Sequence, residues 1–381
     1  MAMRLNTSNK KSSHGKKHMA SNKNQHFVPR CYLRPFTHRG EGLAISLFNI
    51  DRRRYIKSAP VKNQCSRDYF YGEDLVIERW LQRFEGSYAA GLSEILRVGY
   101  ELTDAHRDLL RNFCLLQYLR TEAASRRTVE MSVSIEKVVD SSSHFLRATI
   151  IEAVQIAMRA FHDARMSIDD LKVCLIRNRT SLPFVTSDDP AVMTNRWHQQ
   201  DRRVRGVAPG LASSGALLML PLSPEILCLA YDGDVYSVDH KNGWVEVKRE
   251  SDIYAFNQHQ FLNCGANIYF RDWTNLEHLC DAYDTASPLR PEARHRLNYA
   301  VFDRIEDGQK VFRAIDPVDA KQHENALIHT EAIYPRPDAW PQQISWRRGG
   351  AAYTNGTAGG YLRRAKVDAV GGEGYRRVRL L

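Results

Sequence analysis

The sequence predicts an α+β protein, a helical first half packed on a mostly antiparallel sheet drawn from the second half. Two patterns carry this reading. Between about residues 72 and 165 apolar side chains recur every three or four positions, whereas beyond Leu171 they come in short runs separated by turn dipeptides. Hydrophobic residues make up 43% and charged residues 26% of the 381, a balance that permits a sizeable core and excludes a fibrous or wholly disordered chain.

In chain order, residues 1–24 are polar, basic and free of apolar periodicity, and are expected to be disordered. Order begins near Gln25, where QHFVPRCYLRPF sets apolar side chains between Pro29 and Pro35. LAISLFNIDRRRYIKSAP then reads as a hairpin turning at Asp51. A helix is predicted over Leu75 to Leu96, with Ile77, Trp80, Leu81, Phe84, Tyr88, Leu92 and Ile95 on one face. A second begins at Thr103, an N-cap, and a third covers Ile135 to Arg165 with an interruption at Ser141 to Ser143. Strands follow in LKVCLIRN, LPFVTSDDPAVMTN and GALLMLPLSPEILCLAYDGD, with Asp232-Gly233 and Asn242-Gly243 as turns. One helix starts near Ser251, and ANIYF returns to strand. The core is thus expected over 25–285, a C-terminal hairpin with Asp307-Gly308 at its tip over 286–345, and a flexible Gly- and Arg-rich tail over 346–381.

The net charge of +10 lies at the ends: residues 1–24 and 346–381 carry +6 each, leaving the body at −2. A near-neutral body argues against a wholly basic nucleic-acid face, while basic tails can hold phosphates without sequence preference or serve solubility alone. No run of about 18 apolar residues exists and the start is polar, so neither a membrane span nor a secretory signal is expected, and the chain is placed in the cytoplasm. Seven scattered cysteines without a C-x-x-C pair read as reduced, buried thiols.

Taken in order, QHFVPRCYLRPF, CSRDYFYGED, the helix with Glu78 and Glu85, LLQYLRT, PFVTSDDPAV and LPLSP resemble the bacterial family catalogued as domain of unknown function 4238, over about residues 25–270. The resemblance implies no established reaction; it implies a role in anti-phage defence.

No phosphate loop, dinucleotide-binding glycine motif, H-E-x-x-H or G-x-S-x-G is present, so the candidate chemistry rests on dispersed side chains. Glu78, Gln82 and Glu85 share one helical stripe at the edge of the apolar face. There carboxylates can ligate a divalent cation, or simply pair with Arg79 or Arg83 on a solvated flank. Asp188 follows a strand and can reach a cleft, while Asp189 before Pro190 suits an Asx-type turn. His26 is a candidate general base or a hydrogen-bonded structural residue. One expectation joins these: a metal-dependent phosphodiesterase, with His26, Glu78, Glu85 and Asp188 around Mg²⁺ or Mn²⁺. Arg196, Trp197, Arg202, Arg203 and Arg205 in NRWHQQDRRVR suit nucleic-acid binding by phosphate pairing and base stacking, or form a solvated basic loop. Gln117 and Arg120 lie one helical turn apart, and a buried Arg120 must be paired, with Glu85 or loop carbonyls. The competing expectation is a non-catalytic sensor or interaction protein that binds a phage component or nucleic acid.

Overall fold

A computed structural model describes residues 23–139, 147–204, 209–271, 276–306, 308–316, 319, 325–357 and 360–380. The expected α+β class is what it shows. The chain opens with β1 (Asn24–His26) and a helical turn, α1 (Arg30–Leu33), that begins after Pro29. The hairpin of β2 (Ala44–Asn49) and β3 (Arg54–Pro60) turns at Asp51, and β4 (Ser66–Asp68) pairs back on β1 with His26 opposite Ser66.

Four helices follow: α2 (Val76–Ile95), α3 (Asp104–Arg120), α4 (Glu122–Val139) and α5 (Ile150–Met166). Thr103 caps α3 by accepting from the His106 amide, and Thr149 with Glu152 closes a capping box on α5. The expected third helix corresponds to α4 and α5 together; α4 starts at Glu122, well before Ile135, because Thr121 breaks α3 and caps α4 in a single residue. Ser141 to Ser143 lie outside the described residues. Phe113 of α3 sits among Tyr88 and Phe84 of α2 and Tyr32 of α1, which fastens the helices to the first segment.

The second half supplies β5 (Lys172–Asn178), β6 (Thr186–Ser187), β7 (Val192–Thr194), a short α6 (Arg196–Gln200), β8 (Leu217–Ser223), β9 (Ile226–Tyr231), β10 (Tyr236–Ser237), β11 (Trp244–Val247), α7 (Glu250–Asn263), β12 (Asn267–Phe270) and α8 (Leu276–Ala286). A five-stranded sheet runs β11-β5-β9-β8-β7, antiparallel except for the β11–β5 pair, and a four-stranded antiparallel sheet runs β3-β2-β12-β6. Both faces of the central strands β8 and β9 are covered, which is why LLMLPLS and ILCLAY are apolar without alternation. Asn242 and Gly243 both take positive φ in the turn before β11, as the dipeptide predicts.

The C-terminal region folds as β13 (His295–Glu306), β14 (Gln309–Ala314) and β15 (Ala326–Ala332) in one antiparallel sheet, then β16 (Ser345–Trp346), β17 (Ala351–Thr354), α9 (Arg364–Ala369) and β18 (Arg376–Arg379). The hairpin is therefore a three-stranded sheet; Asp307 lies outside the described residues. The tail expected to be flexible is ordered. Its β17 pairs with β18, and Arg363 is 1% exposed, held by Asp170 at 2.7 Å and by the Leu211 and Ser213 carbonyls. Glycine and arginine content gives no hint of this, because the segment is anchored by long-range ion pairs of Arg363 and Lys366 with Asp169 and Asp170 and by a few buried apolar side chains without a regular period. No helix among the described residues is long and apolar enough to cross a membrane.

Because removing Arg363 leaves the Ser167, Leu211 and Ser213 carbonyls without their donor and Asp170 with Lys366 alone, Arg363→Met is expected to cost roughly 3 kcal/mol. Deleting 346–381 is expected to cost at least as much. Thermal melts of the two variants against the full chain check this, and unchanged melting would restore the flexible-tail reading.

Candidate functional site

Arg120 ends α3 fully buried. Its Nε donates to the Tyr71 hydroxyl at 2.8 Å, Nη1 to Glu85 at 2.7 Å and Nη2 to the His26 carbonyl at 2.7 Å. Arg120 and Glu85 thus form an ion pair. Glu78, bonded by Gln82 at 3.2 Å, is partly buried, and that burial together with Glu85 raises its pKa. Burial and the nearby Arg30 guanidinium lower the His26 pKa to about 4, so the ring is neutral at physiological pH; its buried Nε2 meets no hydrogen-bond partner among the described residues. Gln117 is wholly buried with neither amide atom hydrogen-bonded among the described residues.

The next residues of the chain build a second feature. Thr121 donates to Asp189 at 2.7 Å, and Arg127 of α4 pairs with the same carboxylate at 2.6 Å. Asp189 is completely buried and structural. Asp188 turns the other way, into a cleft, where the amides of Gly265, Ala266 and Asn267 donate to it at 2.8, 2.8 and 3.1 Å. Burial pushes its carboxyl up to about 6, against the three N–H groups that favour the charged form. The strand around it is templated by α7, a helix buried on nearly every side. Asn257 bonds the Val185 amide and Pro183 carbonyl, Gln260 bonds Ser187 and the Pro190 carbonyl, and Asn263 bonds the Asp189 carbonyl.

The cleft encloses about 560 Å³ and is lined by Phe27, Asp51, Asn63, Gln64, Cys65, Ser66, Glu122, Ala123, Arg126, Asp188, Gly265, Ala266, Asn267 and Tyr269. Glu122, at the start of α4, pairs with Arg67 and Arg126 at 2.9 Å each. Three carboxylates against one arginine make the lining acidic, and Asn63, Gln64 and Asn267 add amide groups. Of these residues only Asp188 was singled out from the sequence. The signal for the others is local: a Cβ on Gly265 would come within 3.3 Å of the Asp188 carboxylate, a tight contact that glycine avoids.

The arrangement corrects two expectations. His26, Glu78, Glu85 and Asp188 do not converge as a ligand set: Glu85 faces Arg120, Asp188 faces backbone amides, and no group of three or more His, Cys, Asp or Glu among the described residues could hold a metal ion. Nor is NRWHQQDRRVR an open stacking loop. Trp197 is 3% exposed with its indole on Asp201, Arg203 pairs with Asp201, and Arg196 lies over the Trp340 and Trp346 rings while donating to the Ile344 carbonyl. Its aromatic ring is core, so it cannot take a base. Arg202 is exposed, and Arg205 lies outside the described residues.

Fold and cleft together define an α+β protein with an acidic, amide-lined cleft assembled where helices and sheet meet. The chain belongs to the family described as protein of unknown function (DUF4238), whose model matches residues 24–274, and every lining residue of the cleft falls within that span. Neither the curated proteins nor the solved structures contain a match to it.

Two predictions follow from the geometry. Asp188→Asn replaces one acceptor oxygen by a donor facing backbone N–H, so it is expected to lower stability by about 1–3 kcal/mol in denaturant melts. The opposite result, a more stable variant, would mean that carboxylate repulsion dominates. The buried rings of His198 and His259 are held neutral, with pKa lowered by burial to about 4 and about 3 from 6.5. A depressed histidine favours the native state above its unfolded pKa and ceases to do so as pH falls toward the folded value, so stability should decline on acidification from about pH 6.5 toward pH 3. His259→Leu is expected to flatten that decline in melts recorded across the range.

Proposed function

We propose that the protein is a non-catalytic recognition protein whose Asp188 cleft takes a cationic, donor-rich group, of the kind a lysine or arginine side chain presents. The observation that carries this is the lining itself. Phe27 of QHFVP, Cys65 and Ser66 of CSRDYFYGED, Glu122 just after LLQYLRT and Asp188 of TSDDP all meet in one acidic cleft. Two of its three carboxylates are committed to protein donors, Asp188 to three amides and Glu122 to two arginines, which suits a fixed electrostatic surface better than proton transfer. Asp51 at the rim has no ion pair among the described residues and is free to meet a cation.

The reading as a metal-dependent phosphodiesterase is second to this, because a phosphate would approach a lining with three carboxylates and one arginine. Any defence role would be exercised through recognition of a basic segment of a partner protein. A short lysine- and arginine-rich peptide titrated by calorimetry tests the proposal. Binding should weaken with salt, and Asp51→Asn should reduce affinity by several-fold while leaving the melt unchanged, since Asp51 makes no bond that holds the fold. An unaltered affinity in Asp51→Asn would overturn the assignment, as would stabilisation of the wild type by Mg²⁺ alone.

A further inference from the structure

A separate cavity of about 480 Å³ lies where the segment after α1 meets the C-terminal half of α2, the β8–β9 turn and the residue that follows β12. Its charged side chains are Arg34, Arg39, Arg271 and Glu225, so the lining carries a surplus of two positive charges. Glu225 is spent within the wall: one oxygen takes Arg271, and the other accepts from the Ser223 hydroxyl at 3.1 Å. The surplus therefore belongs to Arg34 and Arg39. Pro35, Ala89, Leu92 and Leu96 give the same cavity an apolar side.

Both arginines sit on one arch, residues 34–42, closed by its own hydrogen bonds. The Thr37 hydroxyl donates to the Arg34 carbonyl at 2.6 Å and accepts from the Gly42 amide at 2.9 Å. Arg34 Nε donates to the Gly40 carbonyl at 3.1 Å, which leaves its two terminal nitrogens without a hydrogen bond among the described residues. Arg39 has neither a hydrogen bond nor an ion pair among the described residues, and its φ of 54° is a left-handed conformation that favours glycine. Glycine would serve the turn better, so the guanidinium is not there for the arch. Glu41, next along it, does not line the cavity. Two free planar forks on one hydrogen-bonded arch match the oxygens of a phosphate group, which guanidinium pairs in bidentate fashion.

We infer that this cavity binds a small organic phosphomonoester, its dianion on Arg34 and Arg39 and its carbon body against Leu92 and Leu96. A dianion balances the surplus of two charges, whereas a carboxylate balances one. The volume is that of a small-molecule site. The site is distinct from the Asp188 cleft and does not depend on the reading given to it. It also takes up sequence that the cleft leaves unused: QHFVPRCYLRPF supplies Cys31, Arg34 and Pro35 to the lining, and LPLSP supplies Ser223.

Calorimetric titration of the full chain with phenyl phosphate tests it. Saturable binding that weakens with salt is expected, tighter than that of inorganic phosphate, which lacks the carbon body, and tighter than that of benzoate, which carries one charge. Arg39→Gly should lose roughly tenfold or more in affinity, the scale of one charge-assisted hydrogen bond, while the melting temperature holds or rises because glycine relieves the positive φ. A structural role for Arg39 would give the reverse, a lower melting temperature. Leu96→Ser should weaken phenyl phosphate and leave inorganic phosphate unchanged. The proposal is overturned if phenyl phosphate gives no saturable heat, if Arg39→Gly keeps full affinity, or if benzoate or inorganic phosphate binds as tightly as phenyl phosphate, which would mark a simple anion site. A phosphotyrosine peptide that binds more tightly than phenyl phosphate would overturn the small-molecule assignment in favour of a protein partner, and one that binds equally or more weakly supports it.

Discussion

A guanidinium cannot shed its charge, so once Arg120 is buried at the end of α3 its donors must all be met by acceptors that the fold brings to it. The acceptors come from three places: the Glu85 carboxylate on α2, the Tyr71 hydroxyl before α2, and the His26 carbonyl in β1. That requirement ties the first strand and two helices to one point. The chain then continues without a pause, Thr121 gripping Asp189 and Glu122 entering the cleft. Three successive residues thus connect the helical half to the sheet and set one wall of the candidate site.

The opposite wall is set by polar groups as well. Along α7, asparagine and glutamine side chains meet the backbone of residues 183–190, and the amides of 265–267, just beyond that helix, hold Asp188. A cleft whose frame is made of satisfied hydrogen bonds keeps its shape, and fixed charges in such a frame recognise by complementarity without reorganising. Its acidity selects for cations.

Periodicity made α2 and α3 legible, because each must bury one stripe against its neighbours, and turn dipeptides located the hairpins. Asp188, Asp189 and Arg120 could be picked out because a carboxylate pair before proline and an arginine on a helix face call for partners. The partners themselves were hidden. Backbone amides at 265–267 leave no trace in residue type, and α7 shows no single apolar stripe because it is buried on nearly every side, with Ile253 and Phe256 in one core cluster, Phe261 and Leu262 in another, and its amide side chains on the backbone of 183–190. Trp197 drew attention as an aromatic among arginines, yet it is buried, with its indole on the nearby Asp201 and its ring against Tyr361 from the distant C-terminal region. The order of the C-terminal tail rests on long-range contacts, among them Arg363 with Asp170 and Lys366 with Asp169 and Asp170, which no local pattern records.

The central claim is that the Arg120 junction holds β1 and the cleft walls together. Backbone hydrogen exchange in Arg120→Met tests it most directly. The account predicts that protection falls at Gln25 to Phe27, at Ser66 to Asp68 and at the 265–267 amides, while the five-stranded sheet keeps its protection. Exchange that stays at wild-type levels in those three segments, or that rises uniformly through the whole chain, would contradict it.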